Sequence, residues 1–169
     1  MKKEKRALVV FIDNRKIRTI LKKYHPDYKK YKPHITLVYT FSVNDEKSLE
    51  THIKNSIEIT KKFNILLKGL KKSKHEYYLY LLINKNKKKI MDLYRKLNLG
   101  ILEGLKNPKL PVYIPHISLG IFKNKKQIDS VIKELKKQPI QIKFKVNKIS
   151  LLTLNNDDSI KKIKNFYLK

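Results

Sequence analysis

Two histidines stand in the same five-residue setting at two places in the chain, Pro33-His34-Ile35-Thr36-Leu37 and Pro115-His116-Ile117-Ser118-Leu119. Imidazole titrates ordinarily near ~6.5, so at neutral pH one ring of such a pair can take a proton while the other gives one. A hydroxyl two residues on, Thr36 in one copy and Ser118 in the other, can donate to an oxygen that gains negative charge during a reaction. One copy alone would pass for the polar face of a half-exposed strand. A second copy with the same proline, histidine, hydroxyl and leucine points to shared chemistry, general acid and base catalysis by a histidine pair.

Both motifs open runs rich in β-branched and aromatic residues, His34–Phe41 and His116–Phe122, which read as strands. Alternation then sets His34 with Thr36, and His116 with Ser118, on one face of each strand. Ile35, Leu37, Ile117 and Leu119 fall on the other face and are expected in the core. Each proline precedes its histidine, at a strand start where a missing N–H is tolerated. By the same alternation Phe122 shares the face of His116 and Ser118, and Phe11, Tyr78 and Tyr80 lie on strands that can flank it. These four aromatics are the candidate substrate-binding residues, with core packing as the alternative for each.

The pattern around the motifs predicts a strand at Ala7–Ile12, a helix at Lys16–Tyr24 ending before Pro26, and then the first motif strand. A helix over Lys47–Ile59, capped by Asn44 or Asp45, precedes a hairpin of Phe63–Leu70, ending near Gly69, with Tyr77–Ile83. The longest helical pattern covers Lys87–Leu105, and Pro108 and Pro111 separate it from the second motif strand. A helix at Lys126–Lys137 is closed by Pro139, and two strands, Gln141–Leu154 and Lys161–Leu168, flank the turn at Asn155-Asn156-Asp157-Asp158. Cut near residues 70–85, the halves share one grammar, a motif strand between helices. The expected fold is α+β: duplicated β-α-β lobes with antiparallel sheets, whose polar faces meet in a groove about a pseudo-twofold axis. One domain spanning residues 1–169 is expected, since 169 residues are too few for two ordinary domains.

There is no cysteine, which removes disulfides, thiolate metal sites and cysteine nucleophiles and fits a reducing compartment. The basic opening Met-Lys-Lys-Glu-Lys-Arg is followed by an apolar run too short for a secretory signal, and no stretch approaches a membrane span. A soluble, cytoplasmic monomer that does not meet a membrane is expected. The net charge of +27 attracts polyanions. Only four basic residues are arginine, however, and lysine rises with isoleucine and asparagine, as an AT-rich genome dictates, so part of the excess is compositional. Asp13, Asp157 and Asp158 are scattered, and His25, His52 and His75 show no ligand spacing and are expected at the surface, so no metal site is read. Four dispersed glycines make no phosphate loop.

The paired His-x-Thr/Ser signatures, each with Pro before and Leu after, and the duplication around them closely resemble the two-histidine phosphoesterase superfamily. This is the group of the bacterial 2′-5′ RNA ligase and the RNA cyclic phosphodiesterases. The resemblance covers almost the whole chain and implies that His34 and His116 are the catalytic pair, with Thr36 and Ser118 orienting phosphate. It implies a reaction at phosphorus that needs no cofactor, with RNA ends, nucleotides or oligonucleotides as substrate. An arginine that members often carry after the second motif is replaced here by Gly120-Ile121-Phe122 and then Lys123. Three readings follow: a metal-independent phosphodiesterase acting on RNA or nucleotide 2′,3′-cyclic phosphates; hydrolysis of 2′-5′-linked or cyclic oligonucleotide signals, or 2′-5′ RNA ligation; and a basic RNA-binding module without turnover. Two intact motifs speak against the third, because a binder has no need of two titrating groups.

Overall fold

The computed structural model describes residues 4–73, 77–105 and 112–169, so the expectations at His75, Pro108 and Pro111 lie outside it. The first half runs β1 (Lys5–Phe11), α1 (Arg15–Tyr24), β2 (His34–Phe41), α2 (Glu46–Ile57) and β3 (Phe63–Lys72). The second runs β4 (Tyr78–Lys85), α3 (Lys87–Leu97), a 3-10 turn at Gly100–Leu105, β5 (His116–Ile121), α4 (Lys125–Lys137), β6 (Gln141–Val146), β7 (Lys148–Leu154) and β8 (Ile160–Tyr167). Helix starts are set by side-chain caps: Asn14, Asp45 and Asn124 each accept the N–H three residues on, from Ile17, Ser48 and Gln127.

Three expectations are corrected. Lys87–Leu105 is not one helix: α3 stops at Leu97, where the Asn98 amide donates both to the Tyr94 carbonyl one turn back and to the Leu37 carbonyl of β2, and Gly100 takes a left-handed φ of 57°. Gln141–Leu154 is not one strand: its apolar run breaks at Asn147, and the two pieces pair in different sheets. Gly69 does not end its strand; with φ 95° it lies at an irregularity in the pairing with β4, after which β3 continues to Lys72.

Two four-stranded antiparallel sheets result, ordered β2-β1-β7-β8 and β5-β4-β3-β6. Each motif strand is an edge, and its neighbour is the strand that precedes it across a helix, as β1-α1-β2 and β4-α3-β5. The sheets do not divide at the β3–β4 hairpin, since β3 joins the second sheet while β7 and β8 return to the first. Helices cross over as well: α1, which follows β1, packs on β5, and α3, which follows β4, packs on β2. Ile35, Leu37, Ile117 and Leu119 are buried in the core between sheets and helices, as alternation requires. Each such side chain contributes roughly 1.5–3 kcal/mol of apolar burial to holding its motif strand in phase.

The phase breaks at the same place in both motif strands. Leu8 pairs with Val38 and Val9 with Thr36, which skips Leu37; Leu79 pairs with Gly120 and Tyr80 with Ser118, which skips Leu119. Each strand therefore buries two successive residues, Leu37-Val38 and Leu119-Gly120, as a bulge demands. At Gly120 the fit is tight, because a Cβ there would stand 2.9 Å from the Tyr24 carbonyl oxygen and Cβ at the end of α1. Gly120→Ala is expected to destabilise the protein by about 1–3 kcal/mol through overpacking, read from urea denaturation midpoints.

Candidate active site

His34 and His116 are held in the same way. His34 donates Nδ1–H to the Lys32 carbonyl at 2.7 Å, and His116 donates Nδ1–H to the Ile114 carbonyl at 2.6 Å. In both cases the acceptor lies two residues back, across the proline. A carbonyl can only accept, so the ring proton is fixed on Nδ1 and Nε2, on the far side of the ring, is left for substrate. Burial pushes both imidazoles below the ordinary histidine range, partly opposed by these hydrogen bonds. The charges of His116 and His25 lower His34 further.

Thr36 and Ser118 emerge beside their histidines, each half-buried, as alternation predicts. The His34 side is a hollow of about 180 Å³ that includes Phe11, Tyr31, Lys32 and Thr36 in its lining. The His116 side, about 190 Å³, is walled by Tyr78, Tyr80, Tyr113 and Ser118. Thr36 and Tyr39 line both hollows, which makes them two halves of one groove. Rings crowd the histidines: Phe11 meets His34 edge-on with centroids 6.4 Å apart, and Tyr80 lies against His116 at 3.7 Å, with Tyr78 stacked on Tyr80.

Phe11, Tyr78 and Tyr80 thus reach the groove, and Phe122 does not. The bulge at Leu119-Gly120 reverses the alternation, so Phe122 turns to the core and packs on Tyr24, with centroids 6.1 Å apart. Nor are His25 and His52 plain surface residues. His52 donates Nε2–H to the Leu97 carbonyl and closes the end of α3, and half-buried His25 meets Tyr31 edge-on at 6.0 Å. Burial holds His25 below the usual range too.

Two further residues hold the first motif strand from outside its sheet, Tyr113 from the segment before β5 and Asn98 from the end of α3. The Tyr113 hydroxyl donates to the Thr36 carbonyl at 2.7 Å, and the buried Asn98 amide donates to the Leu37 carbonyl at 2.9 Å. Tyr113 is itself fixed by stacking on Tyr94 of α3, with centroids 3.8 Å apart. The sequence carried a signal for it: the repeat begins three residues before each histidine, as Tyr31-Lys32-Pro33 and Tyr113-Ile114-Pro115. Asn98 had none, since its role depends on where α3 ends.

The model of the 2′-5′ RNA ligase superfamily matches residues 7–158 of the chain. No curated protein sequence matches it. Among solved structures, E. coli LigT complexed with 3′-AMP is 14% identical with a TM-score of 0.60, over 99% of this chain and 97% of that one. The Thermus thermophilus protein TT0787 is 15% identical with a TM-score of 0.61, over 97% of each chain. Kluyveromyces marxianus Usb1 with uridine monophosphate is 11% identical with a TM-score of 0.56, over 98% of this chain and 99% of that one. At these identities the likeness is one of fold.

Two outcomes are expected. Tyr113→Phe removes one partly buried hydrogen bond and should cost about 0.5–1.5 kcal/mol of stability. Desolvation makes the half-buried His34 and His116 bind a proton less readily in the folded state than in the unfolded one, so the unfolded chain holds more protons as pH falls through ~6.5. Unfolding free energy should therefore decline as pH falls from about 6.5 to 5, and His34→Asn should flatten that decline in urea titrations at several pH values.

Proposed function

Because the chain belongs to the 2′-5′ RNA ligase superfamily, we propose that it is a metal-independent phosphodiesterase that opens 2′,3′-cyclic phosphates on RNA ends or nucleotides. The observation that carries the reading is the matched tethering of His34 and His116, each with Nε2 left for substrate, on one groove shared through Thr36. That relatives in this fold are complexed with 3′-AMP and uridine monophosphate supports a nucleotide ligand.

The reaction follows from two nitrogens. With the cyclic phosphate between the rings, the neutral imidazole takes a proton from water at Nε2 as its oxygen bonds to phosphorus. The protonated ring gives its proton to the ribose oxygen whose bond to phosphorus breaks. The product is a ribose monophosphate with a free neighbouring hydroxyl, and the proton has passed from one ring to the other. Thr36 and Ser118 donate to the non-bridging oxygens as charge gathers there. Flat rings on both sides of the groove, Phe11 and Tyr78 among them, offer surfaces for a base. The scheme calls on no metal, and among the described residues no three histidine, aspartate or glutamate side chains gather to hold one.

The test is turnover in EDTA of a panel: 2′,3′-cyclic mononucleotides, RNA ending in a cyclic phosphate, 2′-5′ oligoadenylate and cyclic dinucleotides. Activity on the cyclic phosphates is expected, and His34→Ala and His116→Ala should each lower kcat by about 10²–10⁴-fold. Turnover confined to the 2′-5′ or cyclic oligonucleotides would keep the histidine pair and replace the substrate; turnover unchanged in both variants would end the assignment. The kcat/KM profile should be bell-shaped with its maximum below pH ~6.5, since the competent pair holds one proton and both rings are shifted down. On binding, the phosphate anion favours the imidazolium, so the kcat profile should lie at higher pH than that of kcat/KM.

A further inference from the structure

Past Phe11, at the end of the groove beyond His34, lies a larger cavity of about 490 Å³, within the range of small-ligand sites. It is not a separate feature of the surface, because Phe11 and Lys32 line both it and the His34 hollow. Its apolar walls include Phe11, Phe144 and Ile163, and its rim carries Arg18, Lys32 and Lys148. Arg18 is neutralised by Asp13, which also lines the cavity, with their atoms 2.6 Å apart. Lys32 and Lys148 therefore supply the net positive charge. Asn165 adds polarity: its Oδ1 accepts from Ser150 Oγ at 2.8 Å, which leaves the amide hydrogens to donate.

Two aromatic walls, a pair of cations and an amide donor beside a site for one phosphodiester match a base and its phosphate. We propose that this cavity is a second nucleotide subsite, which takes the residue next along the strand from the reacting phosphate and so favours a longer strand over a mononucleotide. The inference rests on the phosphodiesterase reading of the histidine pair. A mononucleotide fills only the groove. A longer strand passes Phe11 and sets its next phosphate near Lys148, whose ammonium stands 5.8 Å from the centre of the Tyr167 ring and faces no carboxylate within ion-pair distance among the described residues.

The experiment compares uridine 2′,3′-cyclic phosphate with a uridine trinucleotide ending in the same cyclic phosphate, in the full-length protein and in Lys148→Glu and Phe144→Ala. The ratio of kcat/KM, trinucleotide to mononucleotide, is expected to be about tenfold or more in the wild type, the worth of one stacked base, and to fall toward one in Lys148→Glu. The ratio cancels any loss of folded protein. Rising salt should lower it in the wild type and leave it nearly flat in Lys148→Glu. A wild-type ratio of one, or the same ratio in all three proteins, overturns the subsite. If neither substrate is turned over, the catalytic reading has failed instead, and binding of the 3′-phosphorylated trinucleotide against uridine 3′-phosphate decides the subsite. A tighter Kd for the trinucleotide that Lys148→Glu removes upholds it, and equal Kd values end it.

Discussion

Two sheet edges meet at the centre of this protein and do not pair. β2 and β5 lie beside each other, yet β2 pairs with β1 and β5 with β4, and among the described residues no ladder joins the two. A ladder between them would close the groove. The carbonyls of Thr36 and Leu37 on the inner edge are instead satisfied by side chains, Tyr113 and Asn98. Tyr113 thus crosses the seam from the segment before β5 to β2, while Asn98 ties β2 to the end of α3.

Burial and tethering then shape the imidazoles. The carbonyl two residues back fixes the tautomer, and the proline between gives that segment a restricted φ and no N–H of its own to spend. Desolvation lowers both rings, and the charge of His116 adds to the lowering of His34. The large positive charge of the chain does little of this locally: among the described residues Lys32 is the cation that lines the His34 half, and none lines the His116 half.

The motif strands and their inward leucines were legible in the sequence because a period of two leaves no freedom: moving His34 off the groove would drag Ile35 and Leu37 out of the core. Helices α1, α2 and α4 were legible from stripes and caps, to within a residue or two at most ends. What the alternation could not foresee was a bulge. One extra residue at Leu119-Gly120 turned Phe122 from the groove to Tyr24, and nothing local in the sequence marks a bulge apart from the glycine. The return of β7 and β8 to the first sheet was hidden for a different reason: Asn147 alone separates β6 from β7, and pairing between distant strands is decided by the whole core. Asn98 and His52 escaped notice because their partners are carbonyls at the ends of other elements.

The two motif copies are close in backbone and unequal in the side chains around them. Both copies keep the tyrosine, the proline, the tether and the bulge. They differ at what surrounds them. Tyr31 lies against His34 while Tyr113 turns its hydroxyl across the seam to the other strand; Val38 fills its bulge with a side chain while Gly120 leaves room for α1. The same five-residue backbone therefore sits in two different packings, and what distinguishes the two imidazoles is the rings packed around them rather than the motif itself.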